Sequence, residues 1–214
     1  EFFKKLQNSN IQILSYPQML GVVTENKYTI AVAGTHGKTT TTAMIAKILI
    51  DTGRDPSVVV GSLLKDYKSN FIAGKSEFFV AEACEYERSF LQLSPHVLVI
   101  TNIDADHLDY YKDLADIENA FAEVLSKVPA DGAVICDPSN ESVMRVLKSA
   151  KCHIIDARKY IDRVPKLLVP GEHNRFDAAC AYAACEFLGI HGEEIQKGLS
   201  NFHGTWRRFE YRGE

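Results

Sequence analysis

Short apolar runs alternate with longer stretches of helical periodicity along most of the chain. The short runs are rich in Val, Ile and Ala, and they cover residues 28–33, 57–61, 77–83, 96–101, 133–136 and 152–155. Most are apolar throughout, which is typical of strands covered on both faces. The helical stretches cover residues 39–51, 117–127, 139–148, 173–188 and 192–200. This alternation predicts an α/β fold in which a mostly parallel sheet is flanked by helices.

The segment before the first predicted strand lacks this pattern. Pro17 and Gly21 interrupt the first twenty or so residues. Because both residue types disfavour a helix interior, we interpret residues 1–27 as a connecting helix or linker that leads into the sheet.

Composition and charge narrow the class of protein. Of 214 residues, 46% are hydrophobic and 24% charged, as expected for a globular protein that buries a core. The 24 basic and 28 acidic residues are interspersed and give a net charge of -4, so the sequence predicts no basic face for nucleic acid. No run approaches the roughly 18 apolar residues of a membrane-spanning helix. We therefore expect small-molecule partners, with neither nucleic acid nor membrane, and the oligomeric state stays open.

The cysteines indicate a reducing compartment. There are five, an odd number, and they are scattered without a C-x-x-C spacing. Reduced thiols in a cytoplasmic protein explain this usage best.

The turn after the first predicted strand has the composition of a phosphate-binding loop. Between a strand and an apolar helix it places two glycines, a lysine and several hydroxyl groups, in the order Gly34, Thr35, His36, Gly37, Lys38, Thr39 and Thr40. Glycines let backbone N–H groups approach phosphates, and the helix N-terminus adds positive potential. Lys38 supplies a point charge for the β and γ phosphates, and the Thr39 hydroxyl is placed to coordinate Mg²⁺.

This loop is not a complete match to the pattern G-x-x-x-x-G-K-[ST]. Val32 stands where the first glycine is expected, so the loop is shorter on its N-terminal side. The alternative is a tight strand-to-helix turn with an exposed lysine.

Polar side chains also follow two later strands of the predicted sheet. Glu82 and Glu85 lie at the end of one, and Asn102, three aspartates and His107 follow the next. Carboxyl ends of parallel strands line a common crevice. Mg²⁺ takes one or two carboxylates together with phosphates and water. These residues predict a metal and ligand site, against the alternatives of a solvated strand end and a structural histidine.

Several segments from about Tyr28 onward resemble the central ATP-binding domain of the Mur ligases, in the order that this family shows. They are AGTHGKTTTTAMIAKIL, EACEYERSF, TNIDADHLDYY, PGEHN and FHGTWRRF. The family consists of ATP-dependent amide-bond-forming enzymes of peptidoglycan synthesis. The resemblance therefore implies a P-loop-type domain that uses ATP and Mg²⁺.

The resemblance also implies roles for single residues. Glu82 and His107 would bind the metal together with Thr39, and Lys38, Glu82 and His107 would be the catalytic residues. The muramoyl substrate would lie near Asn102 and His107.

Two further segments would contact the nucleotide. Arg208 or Arg207 would bind the phosphates, although a basic pair by itself is usually a solvated surface. Asn174 matches the family motif P-G-x-H-N-x-x-N, but Asp177 stands where the second, adenine-binding asparagine is expected. An ionised carboxylate cannot donate to adenine N7. We expect adenine to be held mostly by shape and Asn174, or ATP to bind less tightly; alternatively, this segment is only a helix N-cap.

Within the family the resemblance leans towards the branch that adds L-alanine to UDP-N-acetylmuramate through an acyl phosphate. Ala122 stands where the later-acting ligases carry a carbamylated lysine. A tripeptide-recycling ligase, a folate–glutamate ligase and a nucleotide-binding module without activity of its own remain alternatives. The family layout implies a connection from a UDP-binding domain in residues 1–27, the ATPase domain in residues 28–208, and a hinge into a further domain in residues 209–214.

Overall fold

Seven strands form a single sheet in the computed structural model, which describes residues 11–206. The strands are β1 Tyr28–Ala33, β2 Ser57–Leu64, β3 Ser69–Ile72, β4 Phe78–Glu82, β5 Val97–Ile100, β6 Ala133–Cys136 and β7 His153–Asp156. Their order across the sheet is β3-β2-β4-β1-β5-β6-β7. Only β3 runs antiparallel to its neighbour, so the predicted fold class, a mostly parallel sheet flanked by helices, is confirmed.

Helices connect the strands and cover the sheet. The α-helices are α1 Tyr16–Thr24, α2 Lys38–Asp51, α3 Leu114–Ser126, α4 Glu141–Val146, α5 Glu172–Phe187 and α6 Gly192–Ser200. Short 3-10 helices span Tyr86–Gln92, Leu147–Ser149 and Ala157–Arg163. Within residues 11–206, no helix has the length and apolar character needed to cross a membrane.

Each face of the sheet packs on its own apolar core. Ile30 and Val32 of β1 point to the core shared with α2, α5 and α6, whereas Ala31 and Ala33 point to the core shared with α3 and α4. Because successive residues of a strand alternate between faces, a strand covered on both sides must be apolar at every position. This explains the uninterrupted apolar runs of the sequence.

The N-terminal helix differs from the expectation in one respect. Residues 1–27 do contain a helix, α1, but Pro17 and Gly21 do not interrupt it. Pro17 lies in its first turn, where a missing N–H costs nothing, and Ser15 and Gln18 form a capping box around it. Gly21 lies against the Gln92 carbonyl, 2.6 Å from the position that a β-carbon would take, so a larger residue would not fit.

Strand β3 is the element that the sequence pattern did not predict. It lies at the edge of the sheet and pairs antiparallel with β2. Strand β2 is three residues longer than predicted. Its last residue, Leu64, pairs with β3 and also forms a β-bridge to Thr205. The bounds predicted for β1, β6 and α6 are confirmed.

Candidate nucleotide-binding site

The centre of the sheet provides the crevice. Strand β1 lies between β4 and β5, and its connection through α2 leads to β2, on the β4 side. Open parallel sheets bind ligands where such connections diverge, at the carboxyl ends of the strands. A cavity of about 440 Å³ opens there. We call residues 34–40 the phosphate loop, and residues 35–40 of it line the cavity. The rest of the wall is formed by Glu82 and Asn102, by residues at the start of α5, and by Val169, Phe202, Gly204 and Thr205.

The phosphate loop is shaped by its two glycines. Gly34 and Gly37 have φ values of +133° and +84°, and α2 begins directly after Gly37. A side chain at Gly34 would collide with the Thr101 hydroxyl, and one at Gly37 with the Asp177 carboxyl group. Backbone that is left-handed and closely approached can be built only from glycine. The loop therefore combines the strand, glycine and helix-start context that anion binding requires.

Three predicted residues meet at this loop. Lys38 Nζ donates to the Gly34 carbonyl at 2.6 Å, which folds the side chain back over the loop. Thr39 Oγ1 donates to Glu82 Oε1 at 3.0 Å. The second oxygen of Glu82 accepts from the Gly61 amide at 2.6 Å, so Glu82 ties the loop to β2. Lys38, Thr39 and Glu82 are thus neighbours, as the strand-end argument predicts.

Glu85 was grouped with Glu82 as a possible metal-binding carboxylate, but the family resemblance gave it no role of its own. Its side chain is 4% exposed, and its carboxylate pairs with Lys38 Nζ at 2.9 Å through Oε1. The other oxygen, Oε2, is buried without a hydrogen-bond partner among residues 11–206. A 3-10 turn with left-handed Glu87 and Arg88 follows directly. The signal in the sequence was a second glutamate three residues past the end of β4.

Asn102 contacts the phosphate loop itself. Its Oδ1 accepts from the His36 amide at 2.9 Å, and its Nδ2 donates to the His36 carbonyl at 3.1 Å. One side chain thereby satisfies both backbone groups of a loop residue, which fixes the loop against β5. The structure places Asn102 at the cavity wall, where its predicted substrate contact remains a prediction.

His107 approaches Glu85. Its Nε2 lies 3.7 Å from Glu85 Oε1, and its ring packs on Tyr86 with the centroids 4.9 Å apart. His107 has a left-handed backbone (φ 52°) and its side chain is 33% exposed. In the described part of the chain, no group of three or more His, Cys, Asp or Glu residues is arranged to hold a metal ion. We call Glu82, Glu85 and His107 the acidic side of the site; the metal-binding role of His107 stays a prediction.

Residues at the start of α5 form another part of the cavity wall. Asn174 Nδ2 donates to the Pro170 carbonyl, so this amide stabilises the turn before the helix. Asp177 is 4% exposed, and burial raises the pKa of its carboxyl group to about 7. The nearby Thr41 hydroxyl lowers this pKa, although it does not reach standard hydrogen-bond geometry. The predicted phosphate contacts Arg207 and Arg208 lie outside the described residues.

Comparison with known proteins supports a family assignment. A sequence model of the Mur ligase middle domain matches residues 32–163. The UDP-N-acetylmuramate–L-alanine ligase of Clostridium tetani is 40% identical over 240 residues, covering 100% of this chain and 52% of that protein. The enzyme of the same name from Desulfitobacterium hafniense is 39% identical, covering 100% and 53%. The chain spans about half the length of the curated relatives it matches.

Solved structures share the fold. The UDP-N-acetylmuramate–alanine ligase of Thermotoga maritima superposes with a TM-score of 0.76 at 26% identity, covering 92% of this chain and 50% of that one. The ligase for UDP-N-acetylmuramate and L-alanyl-γ-D-glutamyl-meso-diaminopimelate from Neisseria meningitides gives a TM-score of 0.83 at 23% identity, covering 96% and 75%. At that identity the second likeness concerns the fold alone.

Proposed function

Since this chain belongs to the Mur ligase family, we propose that it forms the ATP-binding middle domain of a ligase that joins L-alanine to UDP-N-acetylmuramate. One observation carries the nucleotide site: a glycine-built loop at the centre of a parallel sheet, with Lys38 folded over it and Glu82 beside Thr39. The choice of alanine rests on full-chain relatives with 35–40% identity that bear this enzyme's name.

The two ends of the cavity suit the two ends of ATP. The phosphate loop and the N-terminus of α2 offer backbone N–H groups and positive potential for the phosphates. Val169, Phe176 and Phe202 line the cavity with apolar surface that suits a purine base. The nucleotide would draw Lys38 from Glu85 to the phosphates, and Arg208 would add charge from the segment beyond residue 206.

The proposed reaction needs no nucleophile from the protein. The muramoyl carboxylate attacks the γ-phosphorus of ATP, which gives an acyl phosphate and releases ADP. The amine of L-alanine then attacks the acyl carbon, and inorganic phosphate leaves as the amide bond forms. Catalysis of this kind consists mainly of positioning and of stabilising charge on the transferred phosphoryl group, which is the role proposed for Lys38.

The residues at the loop fit Mg²⁺. A hydroxyl and a carboxylate oxygen 3.0 Å apart, Thr39 Oγ1 and Glu82 Oε1, leave room for phosphate oxygens and water to complete the oxygen ligands that this ion prefers. The unpartnered Oε2 of Glu85 offers a further buried acceptor nearby. When bound, Mg²⁺ would neutralise phosphate charge. We keep His107 as a proposed ligand and, with Asn102, as a proposed contact of the muramoyl group.

The proposed arrangement of the whole protein follows the family. Residues 1–27 would connect to a UDP-binding domain, residues 28–208 would form the ATPase domain, and residues 209–214 would lead into a domain that binds the amino acid. The partners would be UDP-N-acetylmuramate, L-alanine and ATP in the cytoplasm.

The decisive experiment measures ADP release by a protein completed to the length of its relatives. With UDP-N-acetylmuramate present, we expect L-alanine to increase the rate and a preformed tripeptide to leave it unchanged. If only the tripeptide increases the rate, the substrate assignment is wrong. For the 214-residue chain we expect weak ATP binding and no ligation. Ligation by this chain alone would contradict the proposal that separate domains bind the UDP group and the amino acid.

A further inference from the structure

Asp177 is a buried carboxyl group in the wall of the cavity, next to the phosphate loop. It lies so close to Gly37 that a β-carbon there would collide with its Oδ1. The adjacent residue, Phe176, contributes to the apolar part of the cavity wall. Any nucleotide that places its phosphates on the loop must therefore pass close to this carboxyl group.

The charged and titratable groups around Asp177 influence whether its carboxyl group is ionised. Other titratable groups of the cavity wall are His36, Lys38, Glu82 and His173, and the thiol of Cys180 on α5 also interacts electrostatically with Asp177. Lys38 is directed to Gly34 and Glu85. The thiols of Cys180 and Cys136 are buried in the two apolar cores of the sheet.

Burial makes ionisation of Asp177 costly. With a pKa raised to about 7, roughly half of the molecules carry a neutral Asp177 at neutral pH. A bound triphosphate adds several negative charges to the same cavity. Like charges at short range disfavour the ionised form further, so the nucleotide complex must favour the protonated carboxyl group.

Building on the nucleotide site proposed above, we propose that Asp177 takes part in nucleotide binding as a neutral carboxylic acid, so that nucleotide binding is coupled to proton uptake. The proton comes from solvent and forms an O–H bond on the carboxyl group, and no other bond changes. A neutral acid both donates and accepts a hydrogen bond, as a carboxamide does, whereas a carboxylate only accepts. Asp177 thus becomes a donor to the nucleotide.

The sign of the pH effect follows from linkage. A group whose pKa rises on binding gives full affinity below its pKa in the free protein, and affinity is lost as the pH rises above that value. We expect the Kd for ATP to increase roughly tenfold between pH 7 and pH 8.5 in the unaltered chain. Asp177→Asn, which is neutral at every pH and can donate, should lack this increase.

Calorimetric titration of the 214-residue chain with ATP tests the proposal. Running it at pH 8 in two buffers of different ionisation enthalpy gives the number of protons taken up. We expect a large fraction of one proton more for the unaltered chain than for Asp177→Asn. The matched control is Asp51→Asn, which removes a carboxylate at the far end of α2 and should behave like the unaltered chain. Thr41→Val removes the hydroxyl that opposes protonation, so it should move the loss of affinity to higher pH.

The outcomes separate this inference from the proposed function. If the chain and Asp177→Asn both bind ATP with equal proton uptake and equal pH dependence, the inference is wrong and the nucleotide site stands. If neither binds ATP at any pH, both are wrong. Should Asp177→Asn fail to fold in a melting experiment, an unchanged pH dependence in Thr41→Val would overturn the inference.

Discussion

The phosphate loop and the acidic side contact each other through the Thr39–Glu82 and Lys38–Glu85 pairs, but the polar groups of the two regions are satisfied to different degrees. In the loop, glycine conformations, the Lys38 bond to Gly34 and both Asn102 bonds to His36 fix the backbone. On the acidic side, Glu85 keeps an unpartnered buried oxygen, and His107 stays 3.7 Å from its nearest carboxylate. The loop is preorganised by the fold, whereas the acidic side retains unused capacity for a ligand. Substitutions should therefore cost stability in the loop and function on the acidic side.

The largest loss of stability is expected from Gly34→Ala. The new methyl group would be forced into a left-handed backbone against Thr101, and we expect the free energy of unfolding to fall by about 3 kcal/mol. Chemical denaturation measures this. Gly53 is the matched control: its φ is +73°, but a β-carbon there would meet nothing within 4 Å. Gly53→Ala should cost only about 1 kcal/mol, and equal losses would show that close packing does not define the loop.

Breaking the Lys38–Glu85 ion pair, which joins the two regions, should cause the next largest loss of stability. Lys38→Met leaves Glu85 buried without its partner, and we expect a loss of about 2 kcal/mol, limited because Lys38 is partly exposed. The double variant Lys38→Met/Glu85→Gln should regain part of this, since the remaining side chain is neutral. Denaturation curves of the two single variants, Lys38→Met and Glu85→Gln, and of the double variant give the coupling free energy between the two side chains. Strictly additive losses would mean that the pair contributes no stability. Both variants should lose ATP binding.

Asn102→Ala should have a smaller effect on stability and a clear one on binding. Two hydrogen bonds to His36 disappear, and we expect about 1 to 2 kcal/mol of lost stability. ATP affinity should fall roughly tenfold, because a disordered loop must be ordered again on binding. Asn140→Ala, which removes the N-cap of α4, should destabilise the chain by a similar amount without changing ATP affinity. If both variants weaken ATP binding equally, Asn102 does not act through the loop.

The smallest change in stability is expected for His107→Ala. The side chain is one-third exposed, and its approach to Glu85 is too long for a hydrogen bond, so the loss should stay below about 0.5 kcal/mol. The Mg²⁺ concentration needed for half-maximal turnover by the full-length protein should nevertheless increase. His107→Asn, which tolerates the left-handed backbone, serves as the control for conformation. If His107→Ala is destabilised but its Mg²⁺ dependence is unchanged, His107 supports the fold and not the function, which contradicts the role proposed for the acidic side.

Much of the sheet could be predicted because each buried strand is apolar on both faces. β1 and β6 match their predicted bounds for this reason. β3 was missed because its four residues, Ser-Asn-Phe-Ile, lie at an edge with little burial, where the pattern carries no signal. Pro17 was misinterpreted because proline disfavours a helix interior but not a first turn, and only the cap at Ser15 distinguishes the two.

The candidate site could likewise be predicted only in part. Lys38, Thr39 and Glu82 could be brought together from sequence because strand ends of a parallel sheet share one edge. Glu85 is buried beside a turn in which two residues, Glu87 and Arg88, are left-handed, and no local pattern in the sequence indicates such a turn. The approach of Asp177 to Gly37 depends on how α5 packs across α2, which is a tertiary contact between residues far apart in the chain.

The hydrogen bond from the Gly61 amide to Glu82 also connects the phosphate loop, through β2, to the last described residue, Trp206. Ser62 and Leu63, the next residues of β2, hydrogen-bond to the carbonyl and amide of Trp206, each at 2.9 Å. Glu82 thus contacts Thr39 through one oxygen and Gly61 through the other, and Leu63, two residues after Gly61 on β2, accepts from the amide of Trp206. The position of Trp206 is consequently coupled to the phosphate loop through β2 and Glu82, so a ligand that displaces Glu82 would also affect the C-terminal end of the described chain.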